Sequence, residues 1–417
     1  MAVPVPWPGA GPAVDVVRAF DRTLRLTLAG DRLRGVPSAG ALHPVEIALL
    51  LGEGHGIPPG RYGYDPARHR LHRLGPAPGI APGEARAVVG VRVERTVAHY
   101  GHRGWPLALL DAGHAVAGLV AVEGGSARWG AGWGVRFPLA VVGLGPGSDG
   151  ALGPGRRPGS EAGPGSETGP GLGPRTGPRF GPVDPGSGPG HGRWAGGPGA
   201  GVGAGPEARQ AFAVMTALAE AGRAARLGGV TGEPVVEEIL RARRSAPVEA
   251  FTASGPPAEE HLAAVLAAAE SAGPGGPDGP DGLGWWVALG GERPGLYARE
   301  GGRLRLAAAG EVLPTLAVWA ARQGWLADAG AVLLAHGCPS DAAPERVLAD
   351  HLLAGYGAGR AHLAATGLGL PARPVGSWQR ADIGAALGGR AGRDWVVHGL
   401  ALGARRSSWP GVRAGAW

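Results

Sequence analysis

Three short segments carry residue types that can do chemistry. Arg243-Arg244-Ser245 ends a stretch with helical spacing of apolar residues. Two guanidinium forks and a hydroxyl suit a phosphate or another planar anion. A solvated basic face complementing a helix C-terminus has the same composition. Arg405-Arg406 follows the last strand-like run and can converge on the same anion. Pro37-Ser38-Ala39-Gly40-Ala41-Leu42-His43-Pro44 sets small residues and one hydroxyl between prolines. Such a loop can approach a flat ring closely, or it can be an ordinary turn. His99-Tyr100-Gly101-His102-Arg103 gathers titratable groups ahead of an apolar helix. Tyrosine titrates near 10, and a neighbouring cation is expected to lower that value and make Tyr100 a usable proton carrier. The other reading is a polar loop that Pro106 closes at a helix start.

The chain has 417 residues, 81 of them Gly and 40 Pro, with 44% apolar and 18% charged. The Gly and Pro are unevenly spread, which excludes collagen and a wholly disordered chain. The length suffices for two domains, each with its own core. Every basic residue is Arg, and neither Lys nor Asn occurs. Schiff-base and lysine-base chemistry are therefore excluded, and any anion must be held by Arg, backbone N–H groups or hydroxyls. The net charge of +6 comes without Arg–aromatic clusters, a helix-turn-helix pattern or zinc-finger spacing, so no nucleic-acid partner is expected. One cysteine, Cys338, excludes an intramolecular disulfide, a thiolate zinc cluster and a CxxC pair. No metal is expected, and a reducing, cytoplasmic setting fits. The first residues lack signal-peptide character, and no run of about 18 apolar residues predicts a membrane span.

The elements that must position these segments fall into two halves, residues 1–143 and 207–417, around a Gly/Pro-rich linker at 144–206. The linker has too few apolar residues to offset its ordering entropy and is expected to be disordered. At about 5–6 Å × √n it reaches on the order of 40 Å, enough for the halves to pack together. The halves read as diverged copies. PPGRYGYDPARHRLHRLG (58–75) matches RPGLYAREGGRLRLAAAGE (293–311), LLDAGHAVAGLVAV matches LLAGYGAGRAHLAATGLGL, and LAVVGLG matches WVVHGLALG. Helices are expected over 208–226, from Pro234, after Pro256, over PTLAVWAARQGWLADAG and over PERVLADHLLAGYGAGRAHLAATGLG. Short strands alternate with them, which predicts α+β layers without a Rossmann phosphate loop.

In this order, PSAGALHPVEIALLL, PPGRYGYDPARHRL and HYGHRGWPLALLDAGHA resemble the SagB-type (ThcOx-like) azoline dehydrogenases of the nitroreductase superfamily. The later half resembles the same superfamily through RRSAPVEAF, QGWLADAGAVLL, AHLAATGLGLPARPVGSW and VVHGLALGARR. The resemblance covers most of the chain outside the linker. It implies an α+β FMN fold, a mixed sheet wrapped by helices, and a dimer with the flavin at its interface. One subunit would supply the RRS element and the C-terminal Arg, and its partner the Ser-containing loop. Here the RRS and ARR elements stand only in the later half, and the SAG loop and HYGHRG segment only in the earlier one. RAFDRTLRLTLAGD and GPGGPDGPDGLGWW occupy the corresponding places. The expected arrangement is two nitroreductase-like domains paired within one chain, with one composite site.

Carried over by resemblance, Arg243, Arg244, Ser245, Ser38, Gly40, Pro374, Val375, Gly376, Arg405 and Arg406 would contact FMN. Tyr100 matches the tyrosine of the family's catalytic Lys-Tyr pair, and His99 stands where the Lys would be. Pro106 replaces an Arg and Trp105 a Tyr. The implied reaction is oxidation of thiazolines or oxazolines in a ribosomally made peptide to thiazoles or oxazoles. A peptide substrate and a cyclodehydratase partner go with it. An NAD(P)H-dependent nitroreductase-like enzyme, or a degenerate scaffold flavoprotein, remain the other readings.

Overall fold

The computed structural model describes residues 4–5, 7, 15–26, 33–130, 135–145, 206–225, 227–251, 255–271, 282–378 and 381–405. The linker expected at 144–206, apart from its ends, lies outside them, as do Arg406 and most of GPGGPDGPDGLGWW. Two sheets form. The first contains β1 (Pro4–Val5), β2 (Val45–Leu51), β3 (Gly60–Asp65), β4 (Arg70–Gly75), β5 (Ala85–Val91), β6 (Gly125–Trp129), β7 (Pro138–Leu144) and β8 (Gly229–Gly232), in the order β1-β4-β3-β2-β5-β7-β6-β8. The second contains β9 (Gly284–Leu289), β10 (Gly295–Glu300), β11 (Arg303–Ala309), β12 (Ala331–Gly337), β13 (Ala372–Val375) and β14 (Trp395–Leu402), in the order β11-β10-β9-β12-β14-β13.

The second order reproduces the central six strands of the first. The copies agree in detail. A register shift follows Arg61 in the β3–β4 hairpin and Leu296 in the β10–β11 hairpin. Another lies at Val89/Gly90 between β5 and β7 and at Ala335/His336 between β12 and β14. Tyr62 donates its hydroxyl to the Pro58 carbonyl, and Tyr297 donates to the Arg293 carbonyl at 3.0 Å, the same local bond four residues back. Bulges re-aim a strand and persist as built features, so their duplication marks one fold used twice. All pairings among the described strands are antiparallel, which corrects the mixed sheet implied by the resemblance. A second departure is β8. It comes from the later half yet extends the earlier sheet by pairing with β6.

The helices are α1 (Val16–Thr23), α2 (Val93–Tyr100), α3 (Gly104–Glu123), α4 (Pro206–Ala225), α5 (Glu237–Ala242), α6 (Glu259–Glu270), α7 (Leu313–Trp319), α8 (Pro344–Gly367) and α9 (Ile383–Ala386). The helix expected from Pro234 begins at Glu237, because the Val235 amide is held by the Ala121 carbonyl at 2.7 Å and Val236 stays extended. The helix expected over PTLAVWAARQGWLADAG breaks after Trp319, where Ala321 and Arg322 both take positive φ; a short 3₁₀ turn then covers Gly324–Asp328.

α3 and α8 form the centre. α3 is apolar all round, which fits a helix enclosed on every side. The run Val93–Glu123 is long and apolar enough to cross a bilayer, but its apolar window is 89% buried within the protein, as in a core helix. The two helices exchange side chains. Leu107 and Leu110 of α3 join the later half's core with Leu262, Val287 and Leu333. Leu348, Leu352 and Tyr356 of α8 join the earlier half's core with Leu109, Val116 and Trp129. Each core is completed by the other copy. The approach depends on two glycines. A Cβ on Gly113 would collide with the Leu352 carbonyl, and one on Gly355 with the Leu110 carbonyl.

Candidate functional site

The loop at 38–44 is built around a buried acid. Asp111, on α3, is 4% exposed. Its carboxylate accepts from the Ser38 hydroxyl at 2.6 Å and from the Ala39 amide at 3.1 Å. The Ser38 oxygen in turn accepts from the His43 amide at 2.9 Å, and Arg95 of α2 donates to the His43 carbonyl at 2.9 Å. These bonds hold a strained backbone. Gly40, Ala41 and His43 have φ of 58°, 52° and 50°, and the last two are costly for residues with a side chain. Gly40 has a second reason to be glycine, since a Cβ there would lie 2.7 Å from the Tyr100 hydroxyl.

Tyr100 ends α2, half-buried, and packs on the later half's core together with Ala39. Burial raises its pKa above the usual 10, the Asp111 charge raises it further, and Arg103 opposes weakly. The expected lowering by neighbouring cations is thus corrected, because desolvation outweighs the one cation in play. Tyr100 is a phenol at neutral pH. His99 is exposed, with its ring edge-on to Tyr100 at 4.6 Å.

The later half brings its arginines to the same region. Arg243 follows α5 and crosses to the earlier half, donating Nε to the Gly35 carbonyl at 2.6 Å and a second nitrogen to the Arg34 carbonyl at 3.3 Å. Gly35 lies just ahead of the Ser38 loop, so Arg243 joins the two halves at the loop's base. Its buried Nη1 has no hydrogen-bond partner among the described residues and borders a cavity of about 20 Å³ with Arg22, Gly35, His114 and His362. Burial lowers the Arg243 pKa to about 10, with Arg244 adding to the effect, so the group remains charged at neutral pH. Arg244 and Ser245 are exposed. Ala246 then joins β13, its amide donating to Ala372 at 2.8 Å and its carbonyl accepting from Arg373 at 2.8 Å.

β13 carries Pro374 and Val375 and leads to Gly376. The Trp378 indole donates to the Val375 carbonyl at 2.9 Å, and Gln323 to the Gly376 carbonyl at 3.4 Å. A Cβ on Gly376 would lie 2.6 Å from a Leu107 methyl of α3, which sets the end of β13 against the helix that carries Asp111. β13 pairs with β14, Ala372 opposite Leu402, and the exposed Arg405 follows. Arg244 and Ser245 are thus exposed just ahead of the segment that joins β13, Arg405 is exposed after β14, and Gly40 of the Ser38 loop lies against Tyr100. Arg243 ties the two halves through the Gly35 and Arg34 carbonyls, and the Ser38 proton is directed to Asp111.

Two basic residues of the earlier half's corresponding segment are paired across the seam: Arg18 donates to Glu237 at 3.1 Å and Arg22 also donates to Glu237, which accepts from Arg241 of its own helix at 2.9 Å as well.

The sequence reading missed Asp111, Arg373, Gln323 and a buried histidine group. His114 and His398 meet Nε2 to Nε2 at 2.9 Å, and His362 donates to the Arg244 carbonyl at 3.0 Å. Burial lowers all three pKa values, to about 3 for His362 and His398 and well below the usual range for His114. The available signal was polar residues inside otherwise apolar runs, LLDAGH and VVHGL. Among the described residues no cluster has metal-ligand composition.

No protein-family model matches the chain, and no curated protein matches its sequence. In structure it is similar to a protein from Anabaena variabilis classed provisionally as a nitroreductase, with a TM-score of 0.62 and 16% identity, covering 97% of this chain and 94% of that one. The FMN-dependent nitroreductase NfnB from Mycobacterium smegmatis, in complex with NADPH, matches at a TM-score of 0.26 and 17% identity, covering 43% of this chain and 93% of that one. The first of these, spanning nearly the whole chain, shows a nitroreductase-like α+β fold.

Proposed function

We propose that the chain is an FMN-dependent oxidoreductase that converts azoline rings of a peptide to azoles. The observation that carries this reading is the seam at which Arg243 of one half grips the base of the Ser38 loop of the other. The residues present suit FMN. Arg244, Ser245 and Arg405 form an exposed donor set for a phosphate. Gly40 and Gly376 stand where any side chain would fill the space against Tyr100 and Leu107. Bound FMN would supply a two-electron acceptor. The chain's residues then orient the ring and manage the proton. Tyr100, kept protonated by burial and by Asp111, donates a hydrogen bond to the substrate, and exposed His99 beside it passes the released proton to solvent.

Titration with FMN is expected to give about one flavin per chain, since among the described residues Arg18 and Arg22 of the earlier half are paired with Glu237 while Arg244 and Arg405 of the later half are exposed. Replacing Arg244 or Arg405 by Ala is expected to weaken FMN binding by about 10- to 100-fold, the loss of one charge-assisted hydrogen bond. Tyr100→Phe is expected to keep FMN bound while slowing flavin reduction by an azoline peptide under anaerobic conditions by about 10-fold or more. Unchanged reduction in that variant removes Tyr100 from the chemistry. Bleaching by NADPH, with no response to azoline peptide, replaces this reading with the small-substrate reductase.

A further inference from the structure

The Ser38 loop makes only a single 3₁₀ turn of its own, Ala39–Ala41, closed by the Ala41 and Leu42 amides on the Ser38 and Ala39 carbonyls. Its side-chain anchors lead mainly to one carboxylate. Asp111 accepts from both Ser38 and Ala39, and Ser38 passes the constraint to His43. The loop in turn places Gly40 against the Tyr100 hydroxyl. An acid inside an apolar helix costs more than a neutral residue of the same shape, so its position calls for a use. We propose that Asp111 is the positioning residue of the composite site, its carboxylate holding the Ser38–His43 loop against Tyr100, so that the site tightens and loosens with the ionisation of this one group.

The groups that face Asp111 are few. Arg34, in the segment ahead of the loop, and Tyr100, at the end of α2, interact with it electrostatically. Arg95 of α2 acts on Arg34 and holds the His43 carbonyl. His43 lies within the loop, 8% exposed, and His114 follows one turn along α3. Arg34 favours the carboxylate, as do the bonds from Ser38 and Ala39, while burial opposes it and is the largest influence. The balance sets the Asp111 pKa at about 7. Above that pH the carboxylate accepts both loop donors. Below it the carboxyl carries a proton of its own and one of its oxygens becomes a donor, so the Ser38 bond must reverse and the two loop donors no longer both find an acceptor there. Burial holds the Tyr100 pKa above 10 and the ionised Asp111 raises it further, so the phenol stays protonated whether the loop is closed or open.

The role assigned to this site rests on the proposed function, but the test does not require flavin or peptide. Amide hydrogen exchange of Ala39 and His43, corrected for the intrinsic pH dependence of exchange, is measured on the full chain from pH 5.5 to 8.5. Protection is expected to fall about 10-fold as pH drops through the Asp111 midpoint. In Asp111→Asn, protection should be independent of pH. In Ser38→Ala, which removes one bond favouring the carboxylate, the midpoint should move to higher pH at Ala39. A wild-type profile without a step overturns the proposal, as does a step that persists in Asp111→Asn. If Asp111→Asn fails to fold, the direction of the Ser38→Ala midpoint decides. A step that behaves as expected in a protein that does not oxidise azolines leaves the positioning role standing and removes only the reaction.

Discussion

Gly355→Ala is expected to prevent stable folding. The added methyl would enter the Leu110 carbonyl of α3 and come within 3.0 Å of the Leu110 carbonyl carbon and Cα. These are backbone atoms and cannot swing aside as the end of a side chain can. α3 and α8 would have to separate, and both cores would open with them, because each contains side chains from the other helix. Overpacking a core typically costs about 1–3 kcal/mol. Here rigid backbone is displaced along a central helix pair, so a loss above about 4 kcal/mol is expected, a large share of ordinary domain stability. The gain of about 1 kcal/mol in helix propensity from Gly to Ala does not offset it. Gly113→Ala should act alike. Gly324→Ala is the control, since a methyl added there would meet no atom within 4 Å and its φ is ordinary. Thermal unfolding of the three variants checks this; a Gly355→Ala midpoint within a few degrees of wild type contradicts the close-packed crossing.

The second large effect is loss of stability in acid. His114, His362 and His398 are buried and kept neutral, with the latter two at about 3 against 6.5 for an exposed histidine. Between those values the unfolded chain binds protons that the native state does not. Stability is therefore complete above about pH 6.5 and is lost as pH falls toward 3, by on the order of several kcal/mol for each fully buried ring. Asp111 works in the opposite direction. Its raised pKa makes the native state the better proton binder between 3.8 and about 7, so its contribution is lost as pH rises. Asp350 and Glu123, also raised by burial, act with Asp111, while buried His351, held at about 4, acts with the other histidines; the large histidine shifts are expected to dominate, giving a positive net slope. Denaturant unfolding at a series of pH values between 4 and 7.5 measures it. His362→Gln, which keeps a donor for the Arg244 carbonyl, should flatten the slope; a slope unchanged in that variant assigns the acid sensitivity elsewhere.

Much of the fold could be read from the sequence because its signals are local. The PG-x-Y hairpins, the apolar strands and the long helices each announce themselves within about ten to twenty residues, and the hairpins did mark a repeated architecture. β8 and β13 were not legible. GVTG sits among glycines and ARPV contains a proline, and their strand character comes only from the neighbours they pair with. The site was half legible. Ser38, Gly40, Tyr100 and Arg244 occur in recognisable segments, but the acid that holds the Ser38 loop is 73 residues from the Ser38 it binds. The direction of the Tyr100 shift was misread for the same reason. Arg103 is visible beside it in sequence, whereas burial and Asp111 are properties of the assembled molecule. Arg243 likewise reveals its crossing to Gly35 only when the halves come together.

Identical subunits in a two-fold dimer must repeat every substitution on both sides of the axis. Linking the two copies in one chain removes that obligation. A residue such as Glu237 beside Arg18 and Arg22 then acts once, pairing the arginines on one side of the seam without doing so on the other. The doubled architecture thus lets one copy serve mainly to support the other, an asymmetry that two identical half-length chains paired about an axis could not hold.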